Sequence, residues 1–221
     1  MQEIIHEILE FIKEHSNQRM ASYFRSNGAV EAEVYGTPQK DLKKLYKKYK
    51  DHHELALKLF ELDNLEARSL ATMISDLDKM DEDLFNKWIS MSDSFWLNNN
   101  QLAVTLAGHK DAQIVAKKWI NNKEKKKVDA GFFTYCWLLG NRNDEEFSDE
   151  EIKNLLEIVE KTENRTQGME YFVEIVGVSY LPLHKEAVDL AQKLKIESAI
   201  NGINKATEKG RLGFKRNYLR C

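Results

Sequence analysis

The sequence predicts an all-α fold, a solenoid of antiparallel helix pairs, and three observations point there. Only two prolines and ten glycines occur in 221 residues, too few for the turns that an all-β chain needs at every strand end. Lys, Glu, Leu, Ala and Asn dominate, a composition that favours helix. Apolar residues recur at three- and four-residue spacing, in segments that pair off with a period of roughly thirty to forty residues.

Ile4, Ile5, Ile8, Leu9 and Ile12 define a first amphipathic helix from residue 2 to about residue 15. Residues 26–36, with Gly28 and Gly36, read as a loop. Thr37 and Pro38 then open a helix, the threonine as cap and the proline at the first helical position, with Leu42, Leu45, Tyr46 and Tyr49 as its stripe. Helices over 52–62 (Leu55, Leu59, Leu62) and 64–76 (Leu65, Leu70, Met73, Ile74) follow. Acidic residues introduce the helix at 81–91, where they suit the N-terminal dipole, and its stripe is Leu84, Trp88 and Ile89. Residues 93–107 and 110–121 form a pair, and Val128–Leu139 is a long apolar helix. Ser148 and Glu151 read as a capping box before Ile152, Leu155, Leu156 and Val159. Helices at about 165–178 and 183–195 complete the series, ahead of a less regular basic tail from Ala199 that includes Arg220.

One helix pair cannot bury its apolar face alone, so neighbours must stack, and the chain is expected to be a single domain over 1–221. A single globular bundle is the alternative. The segments beginning at Glu66, Asn99, Asp129 and Gly168 recur at the repeat spacing, each combining a small residue with large apolar ones. The hydrophobic fraction of 42% is enough for a core. The formal charge of −3 excludes a polycation, so any case for nucleic acid must come from local clusters. Cys136 and Cys221 cannot build a disulfide framework; Cys136, between Tyr135 and Trp137, reads as a small buried hydrophobe. No apolar run approaches bilayer-spanning length, and Met1–Glu7 lacks the basic start and apolar stretch of a signal peptide. A cytoplasmic location without a membrane partner is therefore the expectation.

No zinc-protease motif, phosphate loop, dinucleotide fingerprint or paired CxxC occurs, and no metal or cofactor is implied. His52 and His53 are adjacent, so on a helix they point about 100° apart and are poorly placed to share a metal; a solvated surface is expected for both. The lysines say more. Lys40, Lys43, Lys44, Lys47, Lys48 and Lys50 lie on one helix. Lys117 and Lys118 precede Trp119, and Lys123, Lys125, Lys126 and Lys127 follow it. Lys205, Lys209, Arg211, Lys215 and Arg216 belong to the tail. Such clusters suit a phosphate backbone, although a solvated charged face is the plain alternative for each.

The stretches His53–Phe60, Glu66–Ile74, Asp93–Gln101 with Trp88 before it, and Val128–Phe132 resemble the AlkD-like DNA alkylation repair family, over roughly residues 35–195. The resemblance implies a HEAT-like-repeat superhelix. In the family's active members its concave face holds duplex DNA bearing a cationic N3- or N7-alkylated purine, and the glycosidic bond is cleaved without a base-flipping pocket. The family's central motif is a tryptophan followed four residues later by an aspartate. Here Trp96 matches the tryptophan, but the acidic position falls on Asn100, or on Asn99 in the neighbouring register. The family's arginine reads as Asp129, and its second aromatic as Tyr171. For Trp96 and Tyr171, core packing and a groove position both stay open.

Glycosidic cleavage develops positive charge on the sugar, which a carboxylate stabilises and a neutral amide does not. An aspartate in place of a phosphate-binding arginine reverses the local sign. The expectation is therefore a DNA-binding relative of the alkylpurine glycosylases that has lost excision. It would bind duplex, damaged or branched DNA through Lys43, Lys44, Lys47, Lys117, Lys118, Lys126, Lys127, Lys215 and Arg216. An active N3-/N7-alkylpurine glycosylase, in which Asn99 or Asn100 positions water or another acid replaces the missing aspartate, is the alternative. A scaffold for a protein partner is the second. Oligomeric state is open.

Overall fold

The computed structural model describes residues 1–216, so Arg220 and Cys221 lie outside the described residues. The described chain is helical, apart from turns, loops and one isolated parallel bridge between Glu33 and Asn64. It divides into two compact units, Met1–His109 and Lys110–Cys221. Among the described residues, no helix is long and apolar enough to cross a membrane.

The first unit contains α1 (Gln2–Glu14), α2 (Gln18–Ser26), α3 (Gln39–Tyr49), α4 (His53–Phe60), α5 (Leu65–Ile74), α6 (Glu82–Ser90), α7 (Phe95–Leu97) and α8 (Ala103–Ala107). Helix α5 is its centre: Leu65 to Thr72 and Ile74 are all buried, and α1, α3 and α4 pack on it. Burying each Leu of such a helix contributes roughly 1.5–3 kcal/mol. Phe60 of α4 stacks on Trp88 of α6 with centroids 4.2 Å apart and rings 3° from parallel. Side-chain caps set the starts: Asn64 accepts from the Ala67 N–H at 2.8 Å and Asp81 from the Leu84 N–H at 2.8 Å.

The second unit contains α9 (Ala112–Ile120), α10 (Lys125–Leu139), α11 (Asp149–Lys161), α12 (Gln167–Ser179), α13 (His184–Leu194) and α14 (Glu197–Glu208). Helix α10 packs against α9 and α12, and α12 against α13 and α14. Phe172 of α12 meets Phe132 and Tyr135 of α10 edge-on, at 5.4 and 6.2 Å. Cys136 is the small buried group that the sequence suggests, and burial pushes its thiol pKa well up.

Residues 18–26 form α2, capped by Asn17, a helix that periodicity leaves unmarked because its apolar residues are too sparse for a stripe. Four expectations need correction. Thr37 does not cap α3; its hydroxyl is buried and donates to Ile12 O at 2.9 Å, and extended Pro38 takes the cap position. Ser148 caps α11 without a side-chain bond, and the Glu151 carboxylate accepts from the Tyr135 hydroxyl and pairs with Lys117 rather than reaching back to the cap. The reciprocal capping box belongs to Asn143 and Glu146, around the 3₁₀ turn Asp144–Glu146. His53 is buried (8% exposed), since helical spacing places it on the face of Ala56 and Phe60. Finally, the irregular tail expected from Ala199 is largely helical, as α14, with Ala199 and Ile203 on its buried face.

Candidate nucleic-acid interface

In the first unit, α3 separates its lysines into two flanks. Lys44 pairs with Asp41 at 2.7 Å, and Lys48 with Glu7 of α1. Lys48 holds the Glu7 carboxyl below the ordinary carboxylate range. Lys40, Lys43 and Lys47 are exposed and, among the described residues, have no carboxylate within ion-pair distance. Their spacing of three and four places them on one face, while Leu42, Leu45 and Tyr49 anchor the opposite face in the core. This is a positive stripe on a fixed helix.

Trp96 lies on α7, capped by Ser94, whose hydroxyl accepts from the Leu97 N–H at 3.2 Å. Its ring is half-buried and packs on Phe24 of α2, with centroids 4.7 Å apart. Between α7 and α8 the helix widens into a π turn, Asn98–Leu102, in which the Ala103 N–H donates to Asn98 O, five residues back. Such turns recur at functional sites. The turn separates the two candidate registers of the acidic position. Asn99 is buried (2% exposed), whereas Asn100 is exposed and its amide nitrogen donates to Trp96 O at 3.2 Å.

Glu66 is a charged group of this unit engaged by backbone. Its carboxylate is buried and accepts from the N–H groups of Tyr35, Gly36 and Thr37 at 3.2, 2.5 and 3.3 Å, tying the 31–37 loop to α5. A glutamate on the apolar face of a helix is a visible signal for such an anchor, but its partner is 29 to 31 residues away in sequence.

In the second unit, Asp129 does not present its charge to solvent. It is 6% exposed on α10, and its Oδ1 accepts from the Gly168 N–H at 2.6 Å, at the start of α12. The orphan donors and positive dipole end of that helix favour an anionic acceptor. Gly168 is required there, because a Cβ would stand 2.7 Å from both Asp129 O and Oδ1. Asp129 therefore holds two helices together, and the expected repulsion of a phosphate does not follow from its position. Tyr171, half-buried, packs on Phe133 at 5.6 Å and borders a small cleft with Cys136, Trp137 and Arg216. Burial raises its phenol pKa, and the Arg216 guanidinium opposes that shift.

The lysines of this unit are more committed than their number suggests. Lys117 pairs with Glu151 at 2.8 Å, and Lys127, only 14% exposed, pairs with Glu124 at 2.6 Å. Lys118 is exposed and Lys126 half-buried, and both have partners. Lys215 is an internal clamp: its ammonium donates to Leu139 O, Ser179 O and Asp144 Oδ1 at 2.8, 2.7 and 2.6 Å, which occupies all three donors. It has no N–H left for a phosphate, contrary to the expectation for it. Arg216 is exposed.

The model of the DNA alkylation repair enzyme family matches residues 4–170. The Listeria innocua serovar 6a protein Lin0241 is 25% identical over 207 residues, spanning 86% of this chain and 91% of that protein. Lmo0209 of Listeria monocytogenes serovar 1/2a is 26% identical over the same shares. One solved structure matches with a TM-score of 0.90 and 34% identity, over 98% of this chain and 99% of its own. It represents a family described as related to the HEAT-like repeat DNA glycosylases, with affinity for branched DNA structures. The all-helical fold of this chain is thus a HEAT-like-repeat fold, and the chain belongs to the DNA alkylation repair enzyme family.

Proposed function

We propose that this chain binds branched DNA through backbone contacts and does not excise alkylated purines. The observation that carries this function is the affinity for branched DNA ascribed to a solved relative that shares 34% identity over 98% of the chain. The Lys40–Lys43–Lys47 stripe supports it, since exposed ammonium groups not held in ion pairs can replace the counterions of a phosphate backbone. Contacts of that kind position DNA without reading bases, so a preference would come from the shape of the DNA.

The state of Asn100 supports the loss of excision. A developing oxocarbenium needs a negative neighbour, and Asn100 offers an uncharged amide whose nitrogen is directed to Trp96 O. Asp129 is a carboxylate, but it is buried against the start of α12. Fluorescence anisotropy with a labelled three-way junction at two salt concentrations tests binding. Tight association at low salt that weakens steeply at high salt is expected, and no association at low salt would sink the proposal. Incubation with alkylated DNA tests excision: no release of 7-methylguanine or 3-methyladenine above an Asn100→Ala control is expected.

A further inference from the structure

Beyond α14 the chain turns back along its own unit. Gly210 (φ 60°) and Gly213 (φ 73°) take left-handed conformations that residues with side chains rarely adopt. The strap they shape is pinned along its length. The N–H groups of Arg211, Gly213 and Arg216 donate to Ala206 O, Val178 O and Gly140 O at 2.9, 2.8 and 2.8 Å, and the Lys215 clamp fixes it further. On this tethered backbone the Phe214 ring is 63% exposed. A phenyl group stabilises a fold when it is buried, so a ring fixed in water contributes little to this one.

The strap, α12 and α14 line a cleft of about 450 Å³. That lies within the roughly 300–1,000 Å³ typical of small-ligand sites. Lys205, Lys209, Arg211 and Arg216 line it together with Phe214, and among the described residues Glu174 is the one acidic side chain in the lining. Burial raises the Glu174 carboxyl above its ordinary range, and the Arg216 charge opposes that shift. Lys205, Lys209 and Arg211 are exposed and, among the described residues, have no carboxylate within ion-pair distance. The cleft therefore combines an excess of positive charge with an available aromatic face.

Those two features fit one ligand chemistry, a phosphodiester that carries an unpaired base. The cations take the phosphates, and the ring takes the π-face of the base, which a duplex keeps stacked and out of reach. The geometry points to this cleft as a seat for single-stranded DNA, with Phe214 as its stacking platform and Lys205, Lys209 and Arg211 as its phosphate contacts. The site rests on the branched-DNA function proposed above and deepens it, by giving the unpaired arm of a branch its own contact.

The test uses the full chain, with a labelled ten-nucleotide oligo-dT and a fully paired three-way junction, each titrated by anisotropy across a salt series. Phe214→Ala is expected to weaken oligo-dT binding by about fivefold or more, and Phe214→Trp to restore it. The double variant Lys209→Ser, Arg211→Ser is expected to flatten the log–log salt slope for oligo-dT by about 1.4. Junction binding should change less in both cases. All these side chains are exposed, so the fold should tolerate the substitutions. Unchanged oligo-dT affinity in Phe214→Ala overturns the site, as does an equal loss for oligo-dT and junction. A wild-type chain that holds the junction but not oligo-dT overturns the site and leaves the branched-DNA function standing. The reverse result overturns that function alone, and binding of neither overturns both.

Discussion

Asp129 shows how one buried carboxylate can serve as a structural bond between two helices. Its Oδ1 meets the Gly168 N–H at 2.6 Å, so Asp129→Ala should leave an orphan donor at the start of α12 and cost about 1–2 kcal/mol, read as a shift in the urea midpoint. Asp129→Asn keeps an acceptor and should cost less. Asp129→Arg, the residue type expected from the family, should cost more than Asp129→Ala, because it buries a cation at the positive end of a helix. Equal stability of wild type and Asp129→Arg would contradict the capping role. Lys215 carries a parallel expectation. Lys215→Met removes a donor from three internal oxygens and should destabilise the fold by about 2 kcal/mol, a loss that a thermal melt detects, while changing DNA affinity little. Neither role is legible in the sequence. The partner of Asp129 is 39 residues away and those of Lys215 up to 76, and no local pattern reports such distances.

At the scale of the element, periodicity is a good guide where one face is apolar and a poor one where it is not. The stripes of α1, α3 and α5 are plain in the sequence. Helix α2 is not, because it buries only Phe24 fully, and the basic residues around α14 hide the two side chains, Ala199 and Ile203, that dock it. Helix α3 shows a second limit. Its lysines form one cluster in the sequence, yet Asp41 and Glu7 neutralise one flank and leave the other open. The double variant Lys43→Ser, Lys47→Ser should therefore lower the salt slope for duplex or junction binding by about 1.8, since each phosphate contact contributes about 0.9. Lys44→Ser with Lys48→Ser should lower it by clearly less. Equal effects from the two flanks would mean that the ion pairs do not decide which lysines meet DNA.

At the scale of the whole molecule, the fold was legible because helix pairing is repeated along the chain, and many weak local signals add to one strong one. The candidate site was legible in part. Trp96 and the asparagines after it can be singled out in the sequence, but only the π turn shows which asparagine reaches the surface. A fold of this kind can persist while its chemistry changes. If the missing charge at Asn100 is what silences excision, Asn100→Asp is the variant most able to recover release of 7-methylguanine from alkylated DNA. Release by the unmodified chain would contradict the loss of activity outright.

The proposed binding of branched DNA through backbone contacts predicts that a junction is preferred over linear duplex. The most direct measurement is a competition: a labelled three-way junction bound to the full chain is challenged with unlabelled junction or with unlabelled linear duplex of equal length and sequence, at moderate salt. Displacement by junction at a lower concentration than by duplex is the predicted result. Equal displacement by the two competitors, or no junction bound at the outset, would contradict it.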